Sequence, residues 1–124
     1  MLLDEELSEA IIGAAIEVHR ATGPGLLESA YQNFLAHEFT LRGIRFEKEV
    51  PLPVEYKGVR LDCGYRMDFV IEDRIVLEVK AVEKLIAIHE AQLLTYLKLS
   101  GKRVGLLINF NSAVIRNALI RRIL

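Results

Sequence analysis

The period of the apolar positions changes along this chain, and the changes mark its elements. From residue 3 to residue 20, Leu7, Ile11, Ala14, Ala15 and Val18 recur at helical spacing. Asp4, Glu5 and Glu6 occupy the first turn, where the helix dipole favours anions. Thr22-Gly23-Pro24-Gly25 stops this helix. A second helical stripe, Leu27, Ala30, Tyr31, Phe34, Leu35 and Leu41, predicts a helix over 26–42 with Gly43 at its C′ position. From residue 44 the pattern alternates. Ile44, Phe46, Val50, Leu52, Val54 and Tyr56 share one parity, broken by Lys48. Lys57-Gly58 reads as a tight turn pairing Tyr56 with Val59. Val59, Leu61, Cys63, Tyr65, Met67, Phe69 and Ile71 continue the apolar set, and Ile75, Leu77, Val79 and Ala81 follow the break at Glu72-Asp73-Arg74. The pattern predicts three strands with a common core face, the other face being a cleft floor. Pro51 and Pro53 cannot donate to a ladder, which makes the first strand an edge or a bulged one.

Helical spacing returns over 84–100, through Leu85, Ile88, Leu93, Leu94 and Leu97, and Gly101 closes it. Residues 103–110, RVGLLINF, form a near-continuous apolar run. That run predicts a strand buried on both faces and parallel to a neighbour after the helical crossover. The tail predicts a turn and a short strand near 119–123. The order is α-α-β-β-β-α-β with one further strand: an α/β fold with a mixed central sheet flanked by helices.

At 124 residues the chain has the length of a single domain, 1–124. A hydrophobic content of 52% excludes a disordered composition. The formal charge of −1 places any polyanion site in a local patch. Cys63 is the single cysteine, so an internal disulfide is excluded and a reducing cytoplasm is expected. The sequence has no secretory leader pattern and no apolar run of about 18 residues, so no membrane association is expected.

The hairpin Arg66–Lys80 carries the candidate chemistry. If residues 72–74 form the loop, Ile71 pairs with Ile75 and Asp68 falls opposite Glu78. Glu78 and Lys80 share a face because side chains alternate along a strand. Two carboxylates and an ammonium then converge; an even loop length would put Asp68 on the other face. The competing reading is an exposed hairpin with a surface ion pair to Lys80, which stabilises little. Glu28 lies beside the apolar stripe of the second helix and, taken alone, reads more readily as a solvated first-turn acid than as a ligand. Gln92 and Tyr96, four residues apart, share one helix face, and the competing reading is a core tyrosine beside an exposed glutamine. Asp68, Glu78 and Glu28 would offer hard oxygen ligands suited to Mg²⁺, and no His/Cys cluster suggests zinc. Lys80 beside such an ion could orient a water or stabilise charge at phosphorus. GPG before Glu28 lacks the lysine and the preceding strand of a phosphate-binding loop.

Asp68 followed by Glu78-Val79-Lys80 resembles the PD-(D/E)XK nuclease superfamily, whose α-β-β-β-α-β core matches the order from the second helix onward. Gly25-Leu26-Leu27-Glu28-Ser29-Ala30-Tyr31, with VHRATGPGLLESAY, YRMDFVI, EVKAVEKL, AQLLTYLKLSG and VGLLINFN, is similar to the GxxExxY family within it. Met67 stands where the superfamily name has proline. The resemblance implies a restriction-endonuclease-like fold, with Asp68, Glu78 and Glu28 as metal-binding acids and a further ligand from the Val79 carbonyl. It implies that Lys80 is the catalytic lysine and that Gln92 and Tyr96 line the site as the Q-x-x-x-Y element of RecB-like members. Arg66, Lys84 and Tyr31 are candidate substrate contacts.

The expected activity is hydrolysis of phosphodiester bonds in nucleic acid, DNA favoured over RNA, by water activated on Mg²⁺ or Mn²⁺. The alternative is a catalytically silent nuclease-fold module that assembles as a homodimer or within a larger complex. A third reading is a phosphoesterase acting on a small phosphorylated molecule.

Overall fold

The computed structural model describes residues 4–124. Helix α1 spans Glu5–Thr22 and α2 spans Glu28–Leu41; the expected start at residue 3 lies outside the described residues. Gly23, at φ 71°, ends α1 with its N–H on the His19 carbonyl at 2.7 Å. Gly43 adopts a left-handed φ of 69° after α2, and the Ile44 N–H returns to the Phe39 carbonyl at 2.9 Å. This is the C′ role expected of that glycine.

The strands are β1 (Phe46–Pro51), β2 (Val54–Tyr56), β3 (Val59–Leu61), β4 (Arg66–Ile71), β5 (Ile75–Lys80), β6 (Val104–Asn109) and β7 (Leu119–Ile123). Helix α3 (Ala87–Ser100) joins β5 to β6, and a 3₁₀ turn, Ile115–Ala118, precedes β7. Five strands form one sheet in the order β1-β4-β5-β6-β7, while β2 and β3 pair only with each other. β5 and β6 are parallel and the other neighbours antiparallel. The predicted mixed sheet, the buried strand at 103–110 and the terminal strand are all present.

The sheet is packed on both sides. Phe69, Ile71, Leu77, Val79, Leu106 and Ile108 meet α1 and α2 through Ile11, Ala15, Leu35 and Phe39. Val70, Val76 and Leu107 meet Leu93, Tyr96 and Leu97 of α3. Each fully buried leucine or phenylalanine of this kind contributes about 1.5–3 kcal/mol. Gly105 lets α3 approach: a Cβ there would lie 2.8 Å from Leu93 Cδ1.

Two-sided burial corrects the expectation of one core face and one open cleft floor. The reason is α3, which lies over the face that the alternation left for solvent. A second correction concerns 59–65. Val59, Leu61, Cys63 and Tyr65 share the apolar parity of Phe69 and Ile71, yet all are exposed. Tyr56 pairs with Val59 as expected, but the β2–β3 hairpin leaves the sheet. β1 ends at Pro51, and between β3 and β4 Asp62 Oδ1 accepts the Gly64 N–H at 2.9 Å to turn the chain. A third correction is the start of α3, at residue 87 rather than 84. Asn109 holds the preceding loop: its Oδ1 accepts the Val82 N–H at 3.0 Å and its amide donates to the Val82 carbonyl at 2.9 Å.

Candidate active site

The charged break at 72–74 forms the three-residue loop that the alternation needs: Ile71 pairs with Ile75 and Phe69 with Leu77. One step further, the regular β4–β5 ladder gives way to side chains. The Asp68 N–H donates to Glu78 Oε2 at 2.7 Å, and the Val79 N–H donates to Asp68 Oδ2 at 2.8 Å. Each carboxylate is thus fastened to the other's strand. The strict alternation also breaks at this level. Met67 and Val70 differ in parity, yet both join the α3-side core. On β1, Phe46 and Val50 share parity but pack on opposite faces. Between them Glu49 takes a left-handed φ of 56°, at the register position facing Asp68.

Glu78 is 4% exposed, one of the few polar side chains buried among the described residues. Burial, then the charge of Asp68, raises its pKa to about 8; the Asp68 N–H and Lys80 pull the other way. Burial also raises Asp68, to about 6, against the Val79 N–H; Glu28 and Glu49 add to the rise and Lys80 opposes it. The direction for the pair follows from its setting. Two close carboxylates away from water cannot both ionise freely, so without a cation they retain a proton more readily than ordinary acids. Lys80 acts on both through its field, but it forms no ion pair with either. The competing picture of an exposed hairpin with a surface ion pair therefore does not describe β4 and β5.

Helix α2 begins at Glu28, which is half-buried and close enough for its charge to raise both acids. Among the described residues no three His, Cys, Asp or Glu side chains gather closely enough to enclose a metal ion. Asp68 and Glu78 are tied to each other's strands, and Glu28, at the start of α2, acts on both through its charge. Glu49 is a further acid acting on Asp68. Sequence reasoning passed over it because its role comes from a left-handed residue inside a strand, which alternation does not signal.

On α3, Gln92 Nε2 donates to the Tyr96 hydroxyl at 3.2 Å. Tyr96 is buried, and burial followed by the charges of Glu78 and Asp68 raises its pKa. Tyr96 thus lies within the fields of both acids, and Gln92 is bonded to its hydroxyl. Tyr31 does not stand where a substrate contact would. It is fully buried and stacked on Phe110 at 4.7 Å; its hydroxyl donates to the Gly23 carbonyl at 2.6 Å and accepts the Leu26 N–H at 3.1 Å. Its role is to clamp the loop that delivers Glu28. Arg66 is exposed at the start of β4 and makes no ion pair. Lys84 is exposed in the loop after β5, beside a cavity of about 330 Å³ shared with Leu85, Asn109 and Asn111. Asn109 also went unremarked in the sequence. It lies opposite Lys80 in the parallel β5–β6 pair and fixes the chain leaving that lysine; a polar residue closing an apolar strand was its one signal.

A model of the PD-(D/E)XK nuclease superfamily matches residues 5–123. The chain belongs to that superfamily. Its mixed sheet with helices on both faces is the restriction-endonuclease-like architecture. No curated protein and no solved structure matches the chain. No described helix is long and apolar enough to cross a membrane.

The donor set fits a hard divalent cation. Mg²⁺ is commonly held by one or two carboxylates, with water and substrate phosphate completing its shell. An acid pair whose pKa values are raised chiefly by burial supplies that arrangement.

Proposed function

We propose that this member of the PD-(D/E)XK nuclease superfamily is a Mg²⁺- or Mn²⁺-dependent nuclease hydrolysing phosphodiester bonds, with DNA preferred to RNA. One observation carries the reading. A buried carboxylate, Glu78, and a half-buried one, Asp68, are tied across the ends of β4 and β5, with the Lys80 charge acting on both. Asp68 and Glu78 would hold the ion, with the Val79 carbonyl and Glu28 completing its surroundings. When bound, the ion supplies Lewis acidity toward a phosphate oxygen and toward water.

The chain's own residues do the rest. The Asp68 and Val79 N–H groups hold the carboxylates in place before substrate arrives, so little reorganisation is needed. Lys80 offers an ammonium to the charge that develops at phosphorus. Gln92 and Tyr96 form the wall on the α3 side, and α3 keeps bulk water from that face of the sheet. Arg66, exposed and without an ion pair, is placed to meet a neighbouring phosphate.

The test is cleavage of single- and double-stranded DNA and RNA with Mg²⁺ or Mn²⁺ by the wild type, Glu78→Ala and Lys80→Ala. Loss of cleavage in both variants, with folding retained, supports the reading; full activity in both would refute it. A second reading, a silent assembly module, rests on the absence, among the described residues, of three His, Cys, Asp or Glu side chains gathered to hold an ion. Calorimetric titration with Mn²⁺ separates the two, since the module binds no ion and Asp68→Asn changes nothing in it.

A further inference from the structure

A cavity of about 400 Å³ is lined by Tyr65, which immediately precedes β4, and by Ile88, His89, Gln92, Thr95 and Tyr96 among others. Its wall carries no lysine, arginine or carboxylate, so it suits a neutral group and not a phosphate. Tyr65 and Tyr96 meet in a T-shaped pair, centroids 6.2 Å apart at 66°. Tyr96 forms the buried side; Tyr65 is 43% exposed and Ile88 66% exposed, so flat apolar surface faces the opening. The Tyr65 main chain is fixed, its carbonyl accepting the Leu52 N–H at 2.9 Å. Gln92 uses one amide N–H on the Tyr96 hydroxyl, leaving its carbonyl oxygen and second N–H for an occupant. Tyr65 lies three residues before Asp68 on the chain that enters β4, and the fields of Glu78 and Asp68 reach Tyr96.

We propose, resting on the nuclease reading above, that this cavity receives one unpaired nucleobase adjoining the scissile phosphate, and that the substrate is single-stranded DNA or a frayed DNA end. Aromatic surface beside a free amide is the equipment for stacking a base and bonding its edge. A duplex offers neither face to such a cavity, because its bases are stacked on one another. Stacking is tolerant of base identity, so the site selects strandedness and not sequence.

The test compares oligodeoxythymidylate, an abasic strand of equal length and a blunt duplex, with wild type, Tyr65→Ala and Tyr65→Phe. Wild type is expected to cleave oligodeoxythymidylate about tenfold or more faster, as kcat/KM, than either other substrate. Tyr65→Ala raises KM on oligodeoxythymidylate by about tenfold and leaves the abasic strand unaffected, while Tyr65→Phe behaves as wild type. Fluorescence anisotropy in EDTA reads the same loss of oligodeoxythymidylate binding without chemistry. Equal cleavage of the abasic strand, or an unchanged KM in Tyr65→Ala, would overturn the base pocket while leaving the nuclease intact. So would a dimer that Tyr65→Ala dissolves without any change in base preference. A wild type that cleaves and binds no nucleic acid would instead overturn the nuclease reading and this inference with it.

Discussion

The β4–β5 pair and the β2–β3 hairpin are written in nearly the same pattern and end in opposite environments. Both alternate apolar and charged residues, and both carry an aspartate on the polar parity, Asp62 and Asp68. Phe69, Ile71, Ile75, Leu77 and Val79 are fully buried, whereas Tyr56, Val59 and Leu61 stand in solvent. Asp62 turns its own chain by accepting the Gly64 N–H. Asp68 instead reaches across to β5, and burial together with neighbouring acids pushes its pKa upward. Alternation therefore specifies an extended segment, but not whether anything packs against it. Where helices close over the sheet, burial pushes a carboxylate's pKa up; where nothing does, it remains a turn residue.

The sharpest way to test that contrast is truncation. Leu77→Ala is expected to cost about 2–5 kcal/mol of unfolding free energy, because it empties fully packed space between the helices and the sheet. Leu61→Ala in the hairpin should cost no more than about 0.5 kcal/mol. Urea denaturation of both variants measures this, and equal losses would mean that the hairpin is docked in solution. The same pairing can be made chemically. Asp68→Ala should lower the nuclease rate on the order of 100-fold or more, while Asp62→Ala leaves it near wild type.

Gly105→Ala tests the lid over the acids. Its methyl would press on Leu93 and Leu97, at 2.8 and 3.1 Å, within a packed interior. A destabilisation of about 1–3 kcal/mol is expected, with activity falling as Gln92 and Tyr96 shift. The smallest expected effect is on pH. Asp68 and Glu78 have folded-state pKa values above those of the unfolded chain, so in the metal-free protein the folded state binds more protons between the two ranges. Stability is then fullest below about 4 and declines as pH rises through about 6 to 8. Thermal melts from pH 4 to 9 should show this decline, flattened by Mn²⁺ or by Glu78→Gln. A melt that stays flat without metal would mean that the pair is solvated.

Sequence alone determined the three helices, the buried strand and, with 72–74 as the loop, the parity of the hairpin. Gly43, Lys57-Gly58 and the 72–74 loop act locally, so Ile71 against Ile75 and Tyr56 against Val59 were legible before any fold was known. The run at 103–110 also declared itself, because a strand buried on both faces has no polar parity to hide. Tertiary structure decided the rest. Exposure of Cys63 and Tyr65 depended on whether β3 joined the sheet, and Tyr31 became a clamp because Gly23, Leu26 and Phe110 surround it. Glu49 and Asn109 acquired their roles from the strands facing them, β4 and β5. Periodicity records which side of an element a residue occupies. Burial, field and proton affinity are set by what arrives on that side from distant parts of the chain, and only the packed molecule contains that.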